Sequence, residues 1–228
     1  FLLIVNGKVP SYLGTSASFV GGVAAIRAQG GDSSRVTGAI LVAGIVLAAG
    51  AGRRFGMPKA LIDYDGGLLV DRAADVLTAG GCAPVVVVLG ARADDVRRRA
   101  QLHHAEPVIN PDWATGMASS LRTALTTLMN GNSSAAIVVP VDMPGVTSAA
   151  VRRVAAHADS SALVAATVGA TRSHPVLLGR QHWSGILATA TGDSGARDYL
   201  LDHHVVHVAC DDVSKSDDID RPEDLRRS

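Results

Sequence analysis

The sequence contains little cysteine, and its two thiols form no recognisable pair. Cys82 and Cys210 lie far apart and belong to no CxxC motif, so a disulfide framework is not predicted. We interpret both as small buried apolar residues, with a regulatory thiol as the alternative. This cysteine usage is typical of a reducing compartment and predicts a cytoplasmic protein.

The sequence also has no net charge and no long hydrophobic run. Its 21 Lys and Arg residues balance its 21 Asp and Glu residues, so no overall field attracts nucleic acid or an anionic membrane. The uncharged run from Val36 to Arg53 is broken by glycines, and its apolar part is too short to span a bilayer. Residues 1–5 are apolar but have no basic residue before them, so no signal peptide is predicted. We therefore expect neither nucleic acid nor a membrane as a partner.

Residues 1–38 lack a sustained helical or strand period, and Gly, Ser and Ala dominate residues 11–38. We expect residues 1–38 to be a poorly ordered extension: a tag remnant, an upstream translated segment or an arm. The remaining residues, 39–228, are enough for one domain with a sizeable core. Trimming the extension is expected to leave activity intact.

From residue 44 onward, apolar runs of strand length alternate with stretches of helical period, which predicts an α/β protein with a mostly parallel sheet. The predicted strands are residues 45–49, 85–90, 106–109, 135–142, 162–167, 175–178 and 205–209. The predicted helices are residues 68–79, 93–101, 118–129, 148–157 and 221–226, with two further short helices between residues 178 and 205.

The loop after the first strand, within VLAAGAGRRFGMPKAL, is rich in both glycine and positive charge. Glycines allow positive φ and close backbone approach, so consecutive N–H groups can turn toward an anion. The glycines are Gly50, Gly52 and Gly56, and the basic residues are Arg53, Arg54 and Lys59. The loop predicts a triphosphate site; a glycine-rich surface turn with solvated arginines is the alternative.

Two familiar phosphate-binding motifs are excluded by spacing. Phe55 stands where GxxxxGK[ST] needs its second glycine, and GxGxxG fails at the same residue. The loop is therefore neither a P-loop nor a dinucleotide-binding fingerprint.

The loop and five later segments together resemble the MobA-like nucleotidyltransferases, in particular the molybdenum cofactor cytidylyltransferase group. The resemblance covers about residues 44–226 and implies a Rossmann-like, three-layer, glycosyltransferase-A-like fold. The segments, in order, are LAAGAGRRFGMPK (47–59), NPDWATGMASSLRTAL (110–125), VDMPGV (141–146), SHPVLLGR (173–180), GDSGARDYL (192–200) and DIDRPEDL (218–225).

The resemblance implies a catalytic set of Arg54, Lys59 and Asp142, in which the two cations bind the triphosphate and then the departing pyrophosphate. It also implies that Asp142 and Asp220 hold Mg²⁺, with the neighbouring Asp218 as the alternative to Asp220. An aspartate that follows a buried strand is by itself weak evidence, because such residues are often turn formers or helix caps.

The implied nucleotide-binding residues are Leu47, Ala48, Ala49, Gly50, Gly52, Arg54, Lys59, Gly116 and Ser120. Because Gly116 and Ser120 stand at the start of a predicted helix, we expect the N–H groups there to receive the nucleotide or its phosphates. A plain capping role is the alternative for Ser120. Ala49 stands where GTP-using relatives typically carry glycine, and its methyl group favours a pyrimidine, so the sequence predicts CTP over GTP.

The implied acceptor-binding residues are His174, Asp193 and Arg197. The usual segment around the histidine is GHP, and this chain has Ser173 in place of the glycine. The resemblance thus implies a Mg²⁺-dependent transfer of CMP to a molybdopterin-type acceptor, serving a molybdenum hydroxylase or its maturation chaperone. The alternatives are cytidylyl transfer to an isoprenoid or sugar phosphate, and a non-catalytic molybdenum cofactor carrier.

Overall fold

The computed structural model describes residues 2–4, 10–12 and 40–226 of the 228-residue chain. The chain divides into two units, Phe1–Ala39 and Ile40–Ser228. In the first unit, strands β1 (Leu2–Ile4) and β2 (Pro10–Tyr12) pair antiparallel. The prediction that residues 1–38 are poorly ordered lies mostly outside the described residues.

The second unit alternates strands and helices in the predicted order. Its strands are β3 (Val42–Ala48), β4 (Asp63–Tyr64), β5 (Gly67–Leu68), β6 (Val85–Leu89), β7 (Ala105–Ile109), β8 (Ala135–Pro140), β9 (Leu163–Val168), β10 (Thr171–Gly179) and β11 (Val206–Ala209). Its helices are α1 (Leu69–Ala79), α2 (Ala93–Arg99), α3 (Met117–Met129), α4 (Ser148–Ala155), α5 (Arg180–Thr189) and α6 (Arg197–Leu201). Short 3-10 turns occur at Lys59–Leu61, Trp113–Thr115 and Pro222–Arg226.

Seven of these strands form one sheet, in the order β11-β9-β10-β8-β3-β6-β7. All neighbouring pairs are parallel except those of β10, which runs antiparallel to both β8 and β9. The predicted α/β fold with a mostly parallel sheet is confirmed.

The central strands are buried on both faces, which explains their continuous apolar runs. In β6, Val85, Val87 and Leu89 pack into one core cluster, and Val86 and Val88 pack into the other. Helices α1 and α4 cover the first face, and α3 and α5 cover the second. The second unit therefore has the three layers that the resemblance implied.

Most predicted boundaries agree with the structure to within a few residues, and two differences concern the candidate site. The strand predicted for residues 135–142 ends at Pro140, so Asp142 lies in the loop beyond β8. The predicted C-terminal helix is a 3-10 turn. The β4–β5 pair was not predicted, because two-residue strands are too short to show an alternating pattern.

The order of the strands positions the site. From β3 the chain proceeds to β6 and β7 on one side, and it then returns to place β8 on the other side of β3. Ligands of open α/β sheets bind at such a switch point, outside the carboxyl ends of the strands. We therefore expect the site where β3 and β8 end. No helix in the described part of the chain is long and apolar enough to cross a membrane.

Candidate active site

The loop after β3 has the backbone shape that its glycines suggested. Gly52 and Gly56 have φ values of 61° and 93°, and the Gly52 carbonyl accepts hydrogen bonds from the N–H groups of Phe55 (3.0 Å) and Gly56 (2.8 Å). A Cβ atom on Gly52 would overlap the Met57 carbonyl oxygen, so only glycine fits this turn. Gly50 does not have a positive φ; a Cβ atom there would meet nothing within 4 Å, because the residue faces open space.

The 3-10 turn that follows the loop fixes the position of Lys59. Pro58 immediately precedes the turn, and Ala60 and Leu61 are each 1% exposed. These two buried side chains anchor the turn in the core. The Lys59 side chain consequently projects from a rigid element back toward the ends of β3 and β8.

Lys59 links two carboxylates from distant parts of the chain. Its Nζ donates hydrogen bonds to Asp142 Oδ2 at 2.8 Å and to Asp220 Oδ1 at 2.6 Å. The second oxygen of Asp220 accepts a hydrogen bond from Arg54 Nη1 at 2.7 Å. The Lys59 side chain is only 14% exposed, whereas that of Arg54 is 72% exposed. Within the predicted catalytic set, Lys59 therefore contacts Asp142 directly and is linked to Arg54 through Asp220.

These contacts determine the charge state of the network. Burial opposes protonation of Lys59, but hydrogen bonds and attraction from Asp142 and Asp220 outweigh it, so the pKa of Lys59 is raised. The hydrogen bond from Lys59, with a further contribution from Arg54, holds the pKa of Asp220 below its usual value. Lys59 and Asp220 are thus both ionised at neutral pH.

The structure separates Asp220 from Asp218. Ile219, between them, is 1% exposed, and its N–H group donates to the Asp142 carbonyl at 2.9 Å. This anchor holds the segment against the loop after β8 and directs Asp220 toward Lys59, while Asp218 is exposed. Asp224 accepts from the Asp220 N–H at 3.0 Å and secures the following turn.

A cavity of about 390 Å³ lies over this network, at the carboxyl ends of β3 and β8. Of the predicted nucleotide, catalytic and metal residues, all but Ala48 line it; Ala48 is buried in the core. Asp193, predicted for the acceptor, also lines it. The full lining is Leu47, Ala49, Gly50, Ala51, Gly52, Arg53, Arg54, Lys59, Trp113, Ala114, Gly116, Met117, Ser120, Pro140, Val141, Asp142, Asp193 and Asp220.

Beneath the cavity, a buried polar network fixes the start of α3. Asn110 is 1% exposed and donates from Nδ2 to Ser119 Oγ at 2.8 Å and to Ser120 Oγ at 3.1 Å. Ser119 Oγ lies 2.8 Å from the carbonyl oxygen of Gly116, the residue that precedes the helix. Ser120 is thus held in place by Asn110 and does not cap the helix.

The first two N–H groups of α3, where we expect the nucleotide or its phosphates to bind, have hydrogen-bond partners within the protein. Met117 N–H donates to Asp193 Oδ1 at 3.3 Å, and Ala118 N–H donates to the Gly192 carbonyl at 2.9 Å. The loop that carries Asp193 therefore occupies these donors itself. Gly116, with φ of 118°, allows this approach, because a Cβ atom there would lie 2.8 Å from Asp193 Oδ1.

Trp113 is a cavity residue that the sequence did not single out. Its side chain packs on Gly90, where a Cβ atom would lie 2.5 Å from Trp113 Cγ and 2.7 Å from the Ala49 carbonyl oxygen. The glycine after β6 therefore lets the indole approach the base of the cavity. In the sequence, the one signal that Trp113 belongs to the site is its place within the NPDW segment.

A second cavity, of about 250 Å³, adjoins the first. Leu47, Met117 and Asp193 line both, so the two share a wall. His174 and Arg197 line the second cavity only. All three residues predicted to bind the acceptor thus border it.

His174 is uncharged at neutral pH. Desolvation lowers its pKa to about 4, against a smaller opposing effect from the charge of Asp142. Its imidazole consequently offers the second cavity a neutral hydrogen-bonding group.

The donor set at Lys59 fits a divalent cation. Asp142 and Asp220 face each other across a single ammonium group, so one positive charge already occupies the space between their oxygens. Two carboxylates completed by phosphate oxygens and water form the usual surroundings of Mg²⁺. Within the described residues, no cluster of three or more His, Cys, Asp and Glu side chains could hold a metal ion.

The sheet, the loop and the cavity define an α/β nucleotidyltransferase. Residues 44–208 match the family described as the MobA-like NTP transferase domain, and the chain belongs to that family.

Two relatives carry different names. The chain is 35% identical over 196 residues to nicotine blue oxidoreductase of Paenarthrobacter nicotinovorans, across 82% of this chain and 95% of the relative. It is 32% identical over 108 residues to a probable molybdenum cofactor guanylyltransferase of Opitutus terrae, across 47% of this chain and 51% of the relative.

Among solved structures, Rv0371c of Mycobacterium tuberculosis H37Rv is similar, with a TM-score of 0.73 and 28% identity over 83% of this chain and 97% of that chain. A structure of Rv0371c in complex with manganese aligns with a TM-score of 0.69 and 26% identity, over 82% of this chain and 97% of that chain.

Proposed function

We propose that this nucleotidyltransferase is a Mg²⁺-dependent cytidylyltransferase that transfers CMP from CTP to a molybdopterin-type acceptor and releases pyrophosphate. The observation that carries the proposal is the ion network of Arg54, Lys59, Asp142 and Asp220 at the floor of the larger cavity. A transferase needs fixed cations beside a triphosphate and carboxylates able to hold a metal, and this network supplies both.

In this reaction, a phosphate oxygen of the acceptor attacks the α-phosphorus of CTP. The bond from that phosphorus to the α–β bridging oxygen breaks, and the electron pair leaves with pyrophosphate. Lys59 and Arg54 stabilise the charge that develops on the leaving group, and both are hydrogen-bonded to Asp220 in the free protein. Asp142 and Asp220 would hold Mg²⁺, which when bound neutralises charge on the phosphate oxygens. The manganese complex of Rv0371c supports a divalent ion in this family.

The acceptor proposed for the second cavity carries a phosphate and an uncharged heterocycle. Arg197 suits the phosphate, and neutral His174 suits the ring system. The choice of CTP is supported by Ala49, which lines the first cavity and narrows it by one methyl group. The Opitutus terrae relative is named a guanylyltransferase, so base choice needs a direct comparison of nucleotides.

The experiment is pyrophosphate release with molybdenum-loaded molybdopterin and Mg²⁺, comparing CTP, GTP and ATP. Release with CTP alone supports the whole proposal, while release with GTP would refute the base choice. Asp142→Ala should reduce turnover by orders of magnitude, whereas Asp218→Ala, a matched control at an exposed carboxylate outside the cavity, should not. Full function of Asp142→Ala would favour the carrier alternative.

The name of the Paenarthrobacter nicotinovorans relative favours a second candidate, an oxidoreductase acting on nicotine blue. This candidate is tested by incubating the protein with nicotine blue and NADH or NADPH and following the oxidation of the NADH or NADPH. Oxidation that depends on the protein, without pyrophosphate release from any nucleotide, would replace the transferase proposal. If the acceptor is an isoprenoid or sugar phosphate, the protein should release pyrophosphate from CTP with that compound and not with molybdopterin.

A further inference from the structure

The wall of the second cavity contains an unpaired polar atom. Ser173 is 7% exposed, and its Oγ has no hydrogen-bond partner; within the described residues it is the only buried side-chain N or O atom in that condition. An unsatisfied buried hydroxyl is costly, so each such group requires an explanation.

The local backbone explains why Ser173 borders the cavity. Strand β10 pairs regularly with β9 from Val176 onward, and the register shifts between Arg172 and Val176. Ser173 and His174 lie in this irregular stretch, and both line the cavity. Irregularities of this kind are common beside active sites, where they redirect side chains.

The groups around Ser173 indicate what kind of ligand the cavity accepts. Buried leucine and valine side chains form much of the wall, including Leu121 and Val138. The cations are Arg172, which is partly buried, and Arg197, which is exposed; Asp193 is the facing anion. The buried part of the wall therefore suits an uncharged body with hydrogen-bonding atoms, and the cations suit an anionic group attached to it.

We propose that Ser173 is a specificity-determining residue whose hydroxyl hydrogen-bonds to a ring nitrogen or carbonyl oxygen of an uncharged heterocycle in the second cavity. The inference rests on the proposed function only in taking this cavity as the acceptor site. Ser173 lines the cavity, so a ligand seated there lies beside this side chain. The ligand thereby satisfies an atom that the protein leaves unpaired.

The test compares wild type with Ser173→Ala, using neopterin, a fluorescent uncharged pterin, as the probe. Because the hydroxyl has no partner in the free protein, its removal should leave the thermal midpoint unchanged or raised. Neopterin should bind about 3–10-fold more weakly, the usual loss for one hydrogen bond. Ser184→Ala, at an exposed position on α5, is the matched control and should alter neither quantity. Ser173→Cys keeps the size with a weaker donor and should show intermediate affinity.

A lowered midpoint in Ser173→Ala would mean that the hydroxyl has a structural partner, and it would overturn the inference. Equal neopterin affinity in the two proteins, or no binding to wild type, would overturn it as well.

Turnover separates this inference from the proposed function. If the inference and the proposed function are both correct, Ser173→Ala raises KM for the acceptor several-fold and leaves KM for CTP unchanged. Serine-dependent neopterin binding without pyrophosphate release would keep the inference and discard the transferase. Pyrophosphate release with an unchanged acceptor KM in Ser173→Ala would keep the transferase and discard the inference.

Discussion

Replacing Lys59 by methionine should convert its two partner carboxylates into a stronger metal site at the expense of stability. Methionine has a similar length, so the main change is the loss of the ammonium between Asp142 and Asp220. Two unit charges about 4 Å apart interact by about 4 kcal/mol at an effective dielectric constant of 20. The two aspartate side chains are 26% and 35% exposed, and solvent screens them. We therefore expect the free energy of unfolding to fall by about 1–3 kcal/mol.

A divalent cation should recover this loss in Lys59→Met. At 100 times its dissociation constant, a ligand that binds only the folded state adds about 2.7 kcal/mol. For a domain of this size, that corresponds to a midpoint about 5–10 °C higher. The wild type should gain less at the same concentration, because the ammonium competes with the ion for the same oxygens. Turnover should fall by about 10²–10³-fold, the usual effect of removing one preorganised charge-stabilising donor.

The assay is thermal unfolding followed by circular dichroism, with Mg²⁺ or Mn²⁺ titrated into each protein. Lys215→Met, which removes an exposed lysine outside the cavity, should respond to the metal as the wild type does. The double variant Lys59→Met/Asp142→Asn should lose the enhanced response. An equal rise in midpoint for wild type and Lys59→Met would refute the idea that ammonium and metal share one site.

Three further predictions concern base choice, pH and the thiols. Ala49→Gly should lower the CTP-to-GTP ratio of kcat/KM by about tenfold, and an unchanged ratio would refute the argument from the methyl group. Because the pKa of His174 is lowered to about 4, the unfolded chain takes up a proton below pH 6.5 and the folded protein does not. Unfolding free energy should thus fall by up to about 3 kcal/mol between pH 6.5 and 4, and urea titrations of His174→Gln should show a smaller fall. Burial raises the pKa of the Cys82 thiol to about 12 and also raises the pKa of the Cys210 thiol. Ellman's reagent at pH 8 should therefore label neither thiol until the protein is denatured. Rapid labelling of the folded protein would indicate a regulatory thiol.

The fold could be predicted from the sequence because its signals are local. The run at residues 85–90 is apolar throughout and ends in glycine, as expected of a strand buried on both faces. Asp142 could be placed near the sheet edge for the same reason, since it follows such a run. The exact position of Asp142 could not be predicted, because the strand ends two residues earlier, at Pro140.

Those parts of the site that depend on distant contacts could not be predicted. The choice between Asp218 and Asp220 depends on the burial of Ile219, which the sequence alone does not reveal. The contact of Asp193 with the Met117 N–H group joins residues 76 positions apart, and no local pattern records it. The unpaired hydroxyl of Ser173 is likewise a property of its surroundings, although its departure from the GHP segment was visible.

The charges of the network bear on how the substrates bind. Arg54 and Lys59 are balanced by Asp142 and Asp220, so the four side chains together carry no net charge. A nucleoside triphosphate that arrived alone would have to compete with the two carboxylates for the same cations. Asp142 and Asp220 would hold a divalent ion, whose positive charge would offset theirs and leave Lys59 and Arg54 available to the phosphates. For this reason we expect nucleotide and metal to strengthen each other's binding, with the neutral resting network as the physical cause.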